Sequence, residues 1–290
     1  RWLMSIGIEP DGVLGHSAGE YIAACIGGIL PLEKALLLVT ERGRCMAAAE
    51  PGKMAAVFAP PAKVRPYLQG REKEIGFAAM NEPTQVVLSG SSLAIDTLLP
   101  LLEKEGIASQ ELRIGCAAHS PIMSQAQGPF SKHLDNHLPE GELSGSLPFY
   151  STLTGTILEP SKVGKQHWLD HLRSPVRFMD AIESAWNDGF GVFLEVGATA
   201  SLSHCITQVL ESRNESAPVL PTGRRSIPGW ETLMESLATL AELGYSLDWD
   251  KLDSRSSITL PDFPYQRKTI WMEEAEGMIA GPKPSITKRI

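Results

Sequence analysis

The chain has 290 residues, enough for one large domain or two small ones with a substantial core. Its apolar share of 43% and charged share of 21% are ordinary for a globular protein, and no apolar run reaches the length of a membrane-spanning helix. A formal net charge of −8 without a long Lys/Arg run argues against nucleic acid as the main partner.

The four cysteines are far apart and form no C-x-x-C pair: Cys25, Cys45, Cys116 and Cys205. This spacing favours small buried thiols in a cytoplasmic protein over a disulfide framework or a metal site. The first ten residues show no signal peptide and resemble the end of an amphipathic helix. We therefore expect the chain to begin inside a domain, with an upstream segment missing or on a separate piece.

In chain order, a short strand at 11–14 and two helices come first, and a β-α-β-β-α-β run of roughly 65 residues follows, which is typical of a ferredoxin-like unit. The elements of that run are predicted at 53–59, 61–68, 75–80, 85–89, 91–104 and 109–115, with a turn at 81–83. Alternating helices and strands then resume. They are predicted as a helix to about 138, a strand at 147–151, helices at 166–172 and 176–188, a strand at 191–195, a helix from 201, an extended stretch at 218–220 and a helix at 230–243. The Pro- and aromatic-rich tail from 248 has no clear period and is interpreted as a linker.

The run Gly15-His16-Ser17-Ala18-Gly19 has the G-x-S-x-G pattern of a nucleophile elbow, between an apolar strand and an apolar helix. Glycines at both ends have no Cβ, so the strand can turn sharply into the helix and pack closely against it. The serine hydroxyl then lies above the sheet, and the backbone N–H of Ala18 faces an oxyanion formed at an attacked carbonyl. The pattern predicts Ser17 as a nucleophile.

A serine hydroxyl needs a base, and His119 is the best placed of the seven histidines. It follows a predicted strand and precedes a Ser-Pro helix start, at the strand end where open α/β sheets collect their sites. His16 abuts the serine, but neighbours on a tight turn point in different directions, so it is either a turn-packing residue or a site contact. No Asp lies on an obvious loop between Ser17 and His119, which favours a Ser-His dyad oriented by a backbone carbonyl.

Arg42 ends an otherwise apolar helix, 25 residues after Ser17. An arginine there compensates the helix dipole or is solvated, unless it points into the serine pocket. In the pocket its planar guanidinium would bind a carboxylate bidentately, and the nearby Arg44 would take the exposed role. The substrate would then be an acyl group with a free acid at its far end.

Seven segments, in this order and spacing, resemble the acyltransferase domain of modular polyketide synthases, in the malonyl-transacylase family. They are GHSAGEYIAAC (15–25), ERGRCM (41–46), NEPTQVVLSG (81–90), CAAHSPIM (116–123), HLRSPVRF (171–178), FLEVGATASL (193–202) and LPDFPYQRKTIW (260–271). The last segment is similar to the linker that follows these domains in multimodular synthases.

The resemblance implies an α/β fold: an α/β-hydrolase-like large domain (1–50 and 117–225), an inserted ferredoxin-like subdomain (51–116), and a helix with the post-acyltransferase linker (226–290). It implies that a malonyl-type extender unit is loaded from acyl-CoA onto the phosphopantetheine arm of an acyl carrier protein, through an acyl-serine intermediate. A ketosynthase domain is the expected neighbour. No bound cofactor, metal or membrane contact is implied.

The resemblance also assigns roles. Ser17 would carry the acyl group and His119 would be its base, oriented by the backbone carbonyl of His171. Arg42 would bind the carboxylate, and the Ala18 N–H would supply half of the oxyanion hole. His16 is included among the predicted substrate contacts.

The stretch Cys116-Ala117-Ala118-His119 aligns with the segment that lines the family's acyl pocket, so Cys116 and Ala118 are predicted pocket residues. Malonyl-selective members resemble His-Ala-Phe-His there, and methylmalonyl-selective members resemble Tyr-Ala-Ser-His. This chain has neither, and a pocket discriminates only ~1–3 kcal/mol per methylene by contact. The choice between malonyl and methylmalonyl therefore stays open.

Two departures from the family pattern affect the prediction. The early glycine-glutamine motif, which supplies the other oxyanion donor in the family, is absent from the sequence, so the sequence itself provides only the Ala18 half of the predicted oxyanion hole. The usual Gly-Pro-Gly after FLEVG is replaced by Gly197-Ala198-Thr199, which affects the geometry of that turn but not the predicted catalytic set.

Two other functions remain as alternatives. A serine esterase or thioesterase on an α/β scaffold would release the acyl group to water instead of a carrier thiol, but a mid-chain histidine is out of order for it. A non-catalytic scaffold is disfavoured by the presence of Ser17, His119 and Arg42.

Overall fold

The computed structural model describes residues 1–141 and 143–252, which fall into two compact units. Among the described residues, the smaller unit contains residues 1–9 and 240–252, with helices α1 (Trp2–Ser5) and α11 (Trp249–Leu252). Within it, the Asp248 N–H donates to the Ile6 carbonyl at 2.8 Å. The greater part of the predicted linker, from residue 253 onward, lies outside the described residues.

The larger unit, Pro10–Thr239, alternates helices and strands. Its helices are α2 (Gly19–Ile26), α3 (Leu32–Ala47), α4 (Pro61–Val64), α5 (Ser92–Lys104), α6 (Ser124–His137), α7 (Lys165–Arg173), α8 (Phe178–Asn187), α9 (Ser203–Glu211) and the greater part of α10 (Gly229–Glu242). Its strands are β1 (Val13–Leu14), β2 (Gly52–Val57), β3 (Ile75–Glu82), β4 (Gln85–Ser91), β5 (Ser109–Leu112), β6 (Phe149–Ser151), β7 (Thr156–Ile157), β8 (Phe193–Glu195) and β9 (Val219–Pro221).

The strands next to the serine turn form short, partly parallel sheets on which the surrounding helices pack. Strand β1 pairs with β6 in parallel, β6 pairs with β7 antiparallel, and β8 and β9 form a separate parallel pair. The apolar faces of α2, α3, α6 and α7 bury one cluster against β6, with Phe130, Phe149 and Trp168 almost fully enclosed. Burial of such aromatic side chains supplies a large share of the folding free energy.

A four-stranded antiparallel sheet, in the order β3-β4-β2-β5, is formed by the segment between α3 and His119. Because side chains alternate along a strand, the sheet has two apolar faces. One is covered by α4 and α5 through residues such as Leu88 and Leu98, and the other packs on α8 and α9 through Phe178 and Ile206. The predicted mixed α/β content is therefore confirmed.

Several predicted boundaries are wrong near the serine turn. Asn81 and Glu82, predicted as turn residues, lie in β3, and the hairpin turns at Pro83-Thr84. The helix predicted from Val176 begins at Phe178, because Val176 forms a bridge with Ala79 of β3. A backbone pairing partner elsewhere in the chain is not visible in local sequence, and here it overrides helix propensity.

Gly15 and Gly19 differ in what they contribute to the serine turn. A Cβ at Gly15 would lie 2.2 Å from the carbonyl carbon of Gly19, which is backbone and cannot move aside. A Cβ at Gly19 would meet nothing within 4 Å. The close approach of strand and helix therefore depends on Gly15, and the expected packing role of Gly19 is not found.

We expect G15A to lower the melting temperature by roughly 5 °C or more, because overpacking against backbone costs ~1–3 kcal/mol or above. The matched variant G19A should stay within ~2 °C of wild type or rise slightly, since alanine suits the first turn of a helix. Thermal unfolding followed by circular dichroism measures both. Equal losses for the two variants would show that the turn does not depend on close packing at Gly15.

Candidate functional site

The serine turn lies between β1 and α2, and Ser17 has a backbone φ of 52°. A positive φ is rare for a residue with a side chain, and it is commonly found at functional turns. The conformation places Ser17 directly before the first turn of α2, with Ala18 as the helix N-cap. The Ala18 N–H has no hydrogen-bond acceptor within the described part of the chain, so it is free to donate to a bound group.

Ser17 and His119 are in direct contact, with 2.6 Å between Ser17 Oγ and His119 Nε2. His119 also has a positive φ, 56°, and its backbone N–H donates to the Leu172 carbonyl at 3.2 Å. Its Nδ1 lies 2.9 Å from the Ser174 carbonyl oxygen, which can only accept. Nδ1 therefore carries the proton, and Nε2 accepts from the serine hydroxyl.

The carbonyl that orients His119 belongs to Ser174, which corrects the sequence prediction of His171. Helix α7 ends at Arg173, and Ser174 has an extended backbone with φ −83° and ψ 153°. The Ser174 carbonyl therefore does not follow the direction of the helical carbonyls and accepts from the His119 ring instead. The His171 backbone carbonyl contributes only a weaker influence on the pKa of His119. The distinction depends on where α7 stops, which the sequence does not specify to within a residue.

His119 is 4% exposed, and its environment keeps the ring neutral. Burial is the main cause that lowers its pKa to about 3, and the Arg42 cation adds to the effect. The Ser174 carbonyl acts in the opposite direction by accepting from the ring. A neutral imidazole with a free lone pair on Nε2 is the form that can take the Ser17 proton.

Arg42 points into the serine site and is not a solvated residue at the helix end, which were the two interpretations that the sequence left open. Its Nη2 donates to Ser17 Oγ at 3.2 Å, and the residue is 7% exposed although it lies on α3 near the helix end. Its Nε has no hydrogen-bond partner in the described structure. The neighbouring Arg44 is exposed and pairs with Glu41 at 3.1 Å. The buried guanidinium of Arg42 thus has unused capacity for an anion beside Ser17.

Glu20 is a buried residue that the sequence reasoning missed. Its carboxylate accepts from the backbone N–H of Thr152 at 2.6 Å and of Leu153 at 3.2 Å, and from Nε2 of His167 at 3.0 Å. These bonds join the first turn of α2 to the chain just after β6 and to α7. A charged residue in an apolar helix directly after the serine turn was the signal that could have identified it, since a buried carboxylate must be hydrogen-bonded.

The remaining predicted site residues surround this centre at different distances. His16 directs its ring to Asn81, with 2.8 Å between Nε2 and Oδ1. Ala118 is half-buried between two apolar clusters, and Cys116 is half-buried and pairs with Pro51 in an isolated bridge. Cys116 is close enough to Arg42 to affect the pKa of the guanidinium. The structure thus brings Cys116, Arg42 and Ser17 into one region.

Within residues 1–141 and 143–252, no group of three or more His, Cys, Asp and Glu side chains is arranged to hold a metal ion. None of the described helices combines the length and apolar character needed to cross a bilayer.

Comparisons with known proteins agree on one family. Residues 1–246 match the family described as acyl transferase domain. The chain is 32% identical over 274 residues to the spectinabilin polyketide synthase system protein NorA' of Streptomyces orinoci, covering 93% of this chain and 8% of that protein. It is 32% identical over 276 residues to mycoketide-CoA synthase of Mycobacterium tuberculosis, covering 94% and 6%.

Solved structures give the same result. The acyltransferase domain from the second module of the salinomycin polyketide synthase superposes with a TM-score of 0.81 at 30% identity, covering 89% of this chain and 61% of that one. A malonyl CoA-acyl carrier protein transacylase from Clostridium perfringens shares the fold, with a TM-score of 0.74 at 22% identity and coverage of 83% and 75%. The chain spans less than a tenth of the length of the two synthases above.

The lowered pKa values of the buried histidines predict how stability depends on pH. Burial lowers the pKa of His16, His119 and His171, so below about pH 6.5 the unfolded chain binds protons that the folded chain does not. The free energy of unfolding should therefore fall as the pH drops from 6.5 towards 4, by up to ~1.4 kcal/mol per pH unit for each histidine. H119Q should reduce the slope of unfolding free energy against pH by the amount that corresponds to about one proton, because one titrating group is removed. Urea unfolding at a series of pH values measures it, and an unchanged slope in H119Q would mean that His119 titrates alike in both states.

Proposed function

Because the chain belongs to the acyl transferase domain family, we propose that it loads a malonyl-type extender unit from acyl-CoA onto the phosphopantetheine thiol of an acyl carrier protein. One observation carries the proposal: Ser17 Oγ is 2.6 Å from the neutral nitrogen of His119 and 3.2 Å from the guanidinium of Arg42. A nucleophile, a base and a carboxylate receptor thus converge on one oxygen. An esterase or thioesterase, the alternative above, has no need of the third group and is not favoured.

In the first half-reaction, Ser17 Oγ attacks the thioester carbonyl carbon as its proton moves to Nε2 of His119. The resulting oxyanion accepts a hydrogen bond from the Ala18 N–H, which is already oriented at the start of α2. Collapse of the intermediate breaks the carbon–sulfur bond, and His119 returns the proton to the departing CoA thiolate. The product is an ester on Ser17.

In the second half-reaction, the same groups work in reverse order. His119 takes the proton of the phosphopantetheine thiol, the sulfur attacks the Ser17 ester, and the proton passes to Ser17 Oγ as the carbon–oxygen bond breaks. The Ser174 carbonyl holds the Nδ1 proton throughout, at 2.9 Å, and stabilises the imidazolium that forms transiently. No carboxylate is needed for the orientation, so we propose a Ser-His dyad.

Arg42 would give the site its preference for acyl groups that end in a carboxylate. The guanidinium is buried and always charged, so an acyl group without an acid would leave it unpaired. Ala118 and Cys116 are the proposed walls of the acyl pocket. The small side chain of Ala118 leaves both malonyl and methylmalonyl as candidates.

The architecture supports finer assignments that we also propose. The order β3-β4-β2-β5 with helices α4 and α5 on one face matches a ferredoxin-like subdomain at 51–116, inserted in a hydrolase-like domain at 1–50 and 117–225. The remaining residues, 226–290, are assigned to a helix and a linker. By family, the proposed partners are acyl-CoA, an acyl carrier protein and a neighbouring ketosynthase domain.

The acyl-serine step is tested by the mass of the intact protein after incubation with malonyl-CoA. Wild type should gain one malonyl group, mapped to Ser17 by peptide digestion, and S17A should gain none because its side chain lacks the nucleophile. Label on Cys25 or Cys116 in the wild type would contradict the proposal.

The carboxylate receptor is tested by comparing R42A with R44A, two neighbouring arginines of which one is buried and one exposed. A charged hydrogen bond in a closed site is worth ~1.5–3 kcal/mol, so R42A should lose about 10- to 150-fold in malonyl loading while acetyl loading falls less or rises. R44A should keep the wild-type ratio. If R42A also keeps that ratio, Arg42 does not receive the acyl carboxylate.

A further inference from the structure

The ring of His16, the residue before the nucleophile, is held by two elements outside the serine turn. Its Nε2 lies 2.8 Å from Oδ1 of Asn81 on β3. Its ring lies 5.4 Å from that of Phe178 at an interplanar angle of 60°, where α8 begins. The half-buried side chain next to Ser17 is therefore held in position by contacts from two other elements.

Asn81 lies at an irregular point of the four-stranded sheet. The pairing of β3 with β4 shifts register between Met80 and Glu82, the two residues that flank Asn81. Such bulges turn a side chain away from the regular alternation and are frequent next to active sites. Met80 N–H donates to the Val176 carbonyl at 2.9 Å, which anchors the irregular stretch.

The contact also bridges two parts of the larger unit. Among the described residues, it is the one side-chain hydrogen bond between the four strands β2–β5 and the serine turn at 15–19. This polar pair therefore adds a directional contact between β3 and the serine turn to the apolar packing of Leu14 and Phe178 against the same sheet.

We propose that Asn81 positions the nucleophile through His16, by holding the neighbouring ring as a neutral donor from Nε2 and thereby fixing the backbone of Ser17. Asn81 Oδ1 can only accept, so Nε2 carries the proton. The inference rests on the proposed function, because it assigns a positioning role in the same acyl transfer.

The neutrality of His16 matters because of the groups around it. Burial lowers its pKa, while Asn81 and the Glu20 carboxylate at the start of α2 act in the opposite direction, and Phe178 on α8 brings no charge. A positive charge on His16 would lower the pKa of His119 further, since the two rings already interact electrostatically. An amide at position 81 therefore suits the site, and a carboxylate there would favour the imidazolium.

The experiment compares the pH profiles of acyl loading for wild type, N81D, N81A and the double variant H16Q/N81D, in single-turnover reactions with malonyl-CoA. N81D should load about tenfold or more slowly at pH 6 and recover to within about threefold at pH 8.5, as the His16 cation loses its proton. N81A should be about tenfold slower at every pH, because the ring is no longer held. In H16Q/N81D the new acidic limb should disappear, since glutamine does not titrate.

A matched control is N187D, which makes the same change at Asn187, an exposed residue whose Oδ1 accepts from Arg213 Nη2 at 2.8 Å. It should keep the wild-type profile. Melting temperatures of all variants distinguish a loss of folding from a displaced Ser17 in a folded protein. Recovery of N81D loading at high pH would itself show that this variant is folded.

The outcomes distinguish this inference from the function on which it rests. If the wild type loads malonyl groups, and N81D and N81A load them with the same rates and pH profiles as the wild type, the role of Asn81 is overturned and the acyltransferase proposal stays intact. An acidic limb that persists in H16Q/N81D would place the effect on His119 and overturn the role of His16. Absence of loading by the wild type would instead remove the proposed function.

Discussion

The hydrogen bond between Ser17 and His119 is the constraint on which the rest of the site depends. It joins residues 102 positions apart in sequence, and both have backbone angles that side-chain-bearing residues rarely adopt. The surrounding structure compensates for that strain: Gly15 admits the close approach of α2, and the Glu20 carboxylate ties the start of the helix to the chain after β6. Packing and buried hydrogen bonds thus place two reactive atoms 2.6 Å apart.

The electrostatics of the site are set by the permanent positive charge of Arg42 beside three neutral histidine rings. Burial lowers the pKa of His119, and the charge with which Arg42 would receive a carboxylate in the proposed function lowers that pKa further. Burial likewise lowers the pKa of His16 and His171. His16, His119 and His171 therefore remain neutral beside the guanidinium, which leaves the proposed base, His119, able to accept a proton. The same lowered pKa values reduce the free energy of unfolding in acid.

Sequence predicted the central residues because each follows a local rule. The glycine spacing marks Ser17, the strand-end position marks His119, and the mixed α/β content follows from the alternating elements. Contacts that depend on distant pairing were not predictable in this way. Ser174 orients His119 because α7 ends one residue before it, and Asn81 reaches the serine turn because β3 is irregular at that point. Neither feature has a local sequence signature.

The protonation state of His119 is the most direct test of the account. In protein labelled with nitrogen-15 histidine, the His119 signals, assigned with H119Q, should show the neutral ring protonated on Nδ1, and should keep that form as the pH is lowered to 5. This follows from the donor role of Nδ1 towards Ser174 and from the pKa of about 3 that burial causes. A ring that becomes an imidazolium near pH 6.5, or that carries its proton on Nε2, would contradict the proposed base.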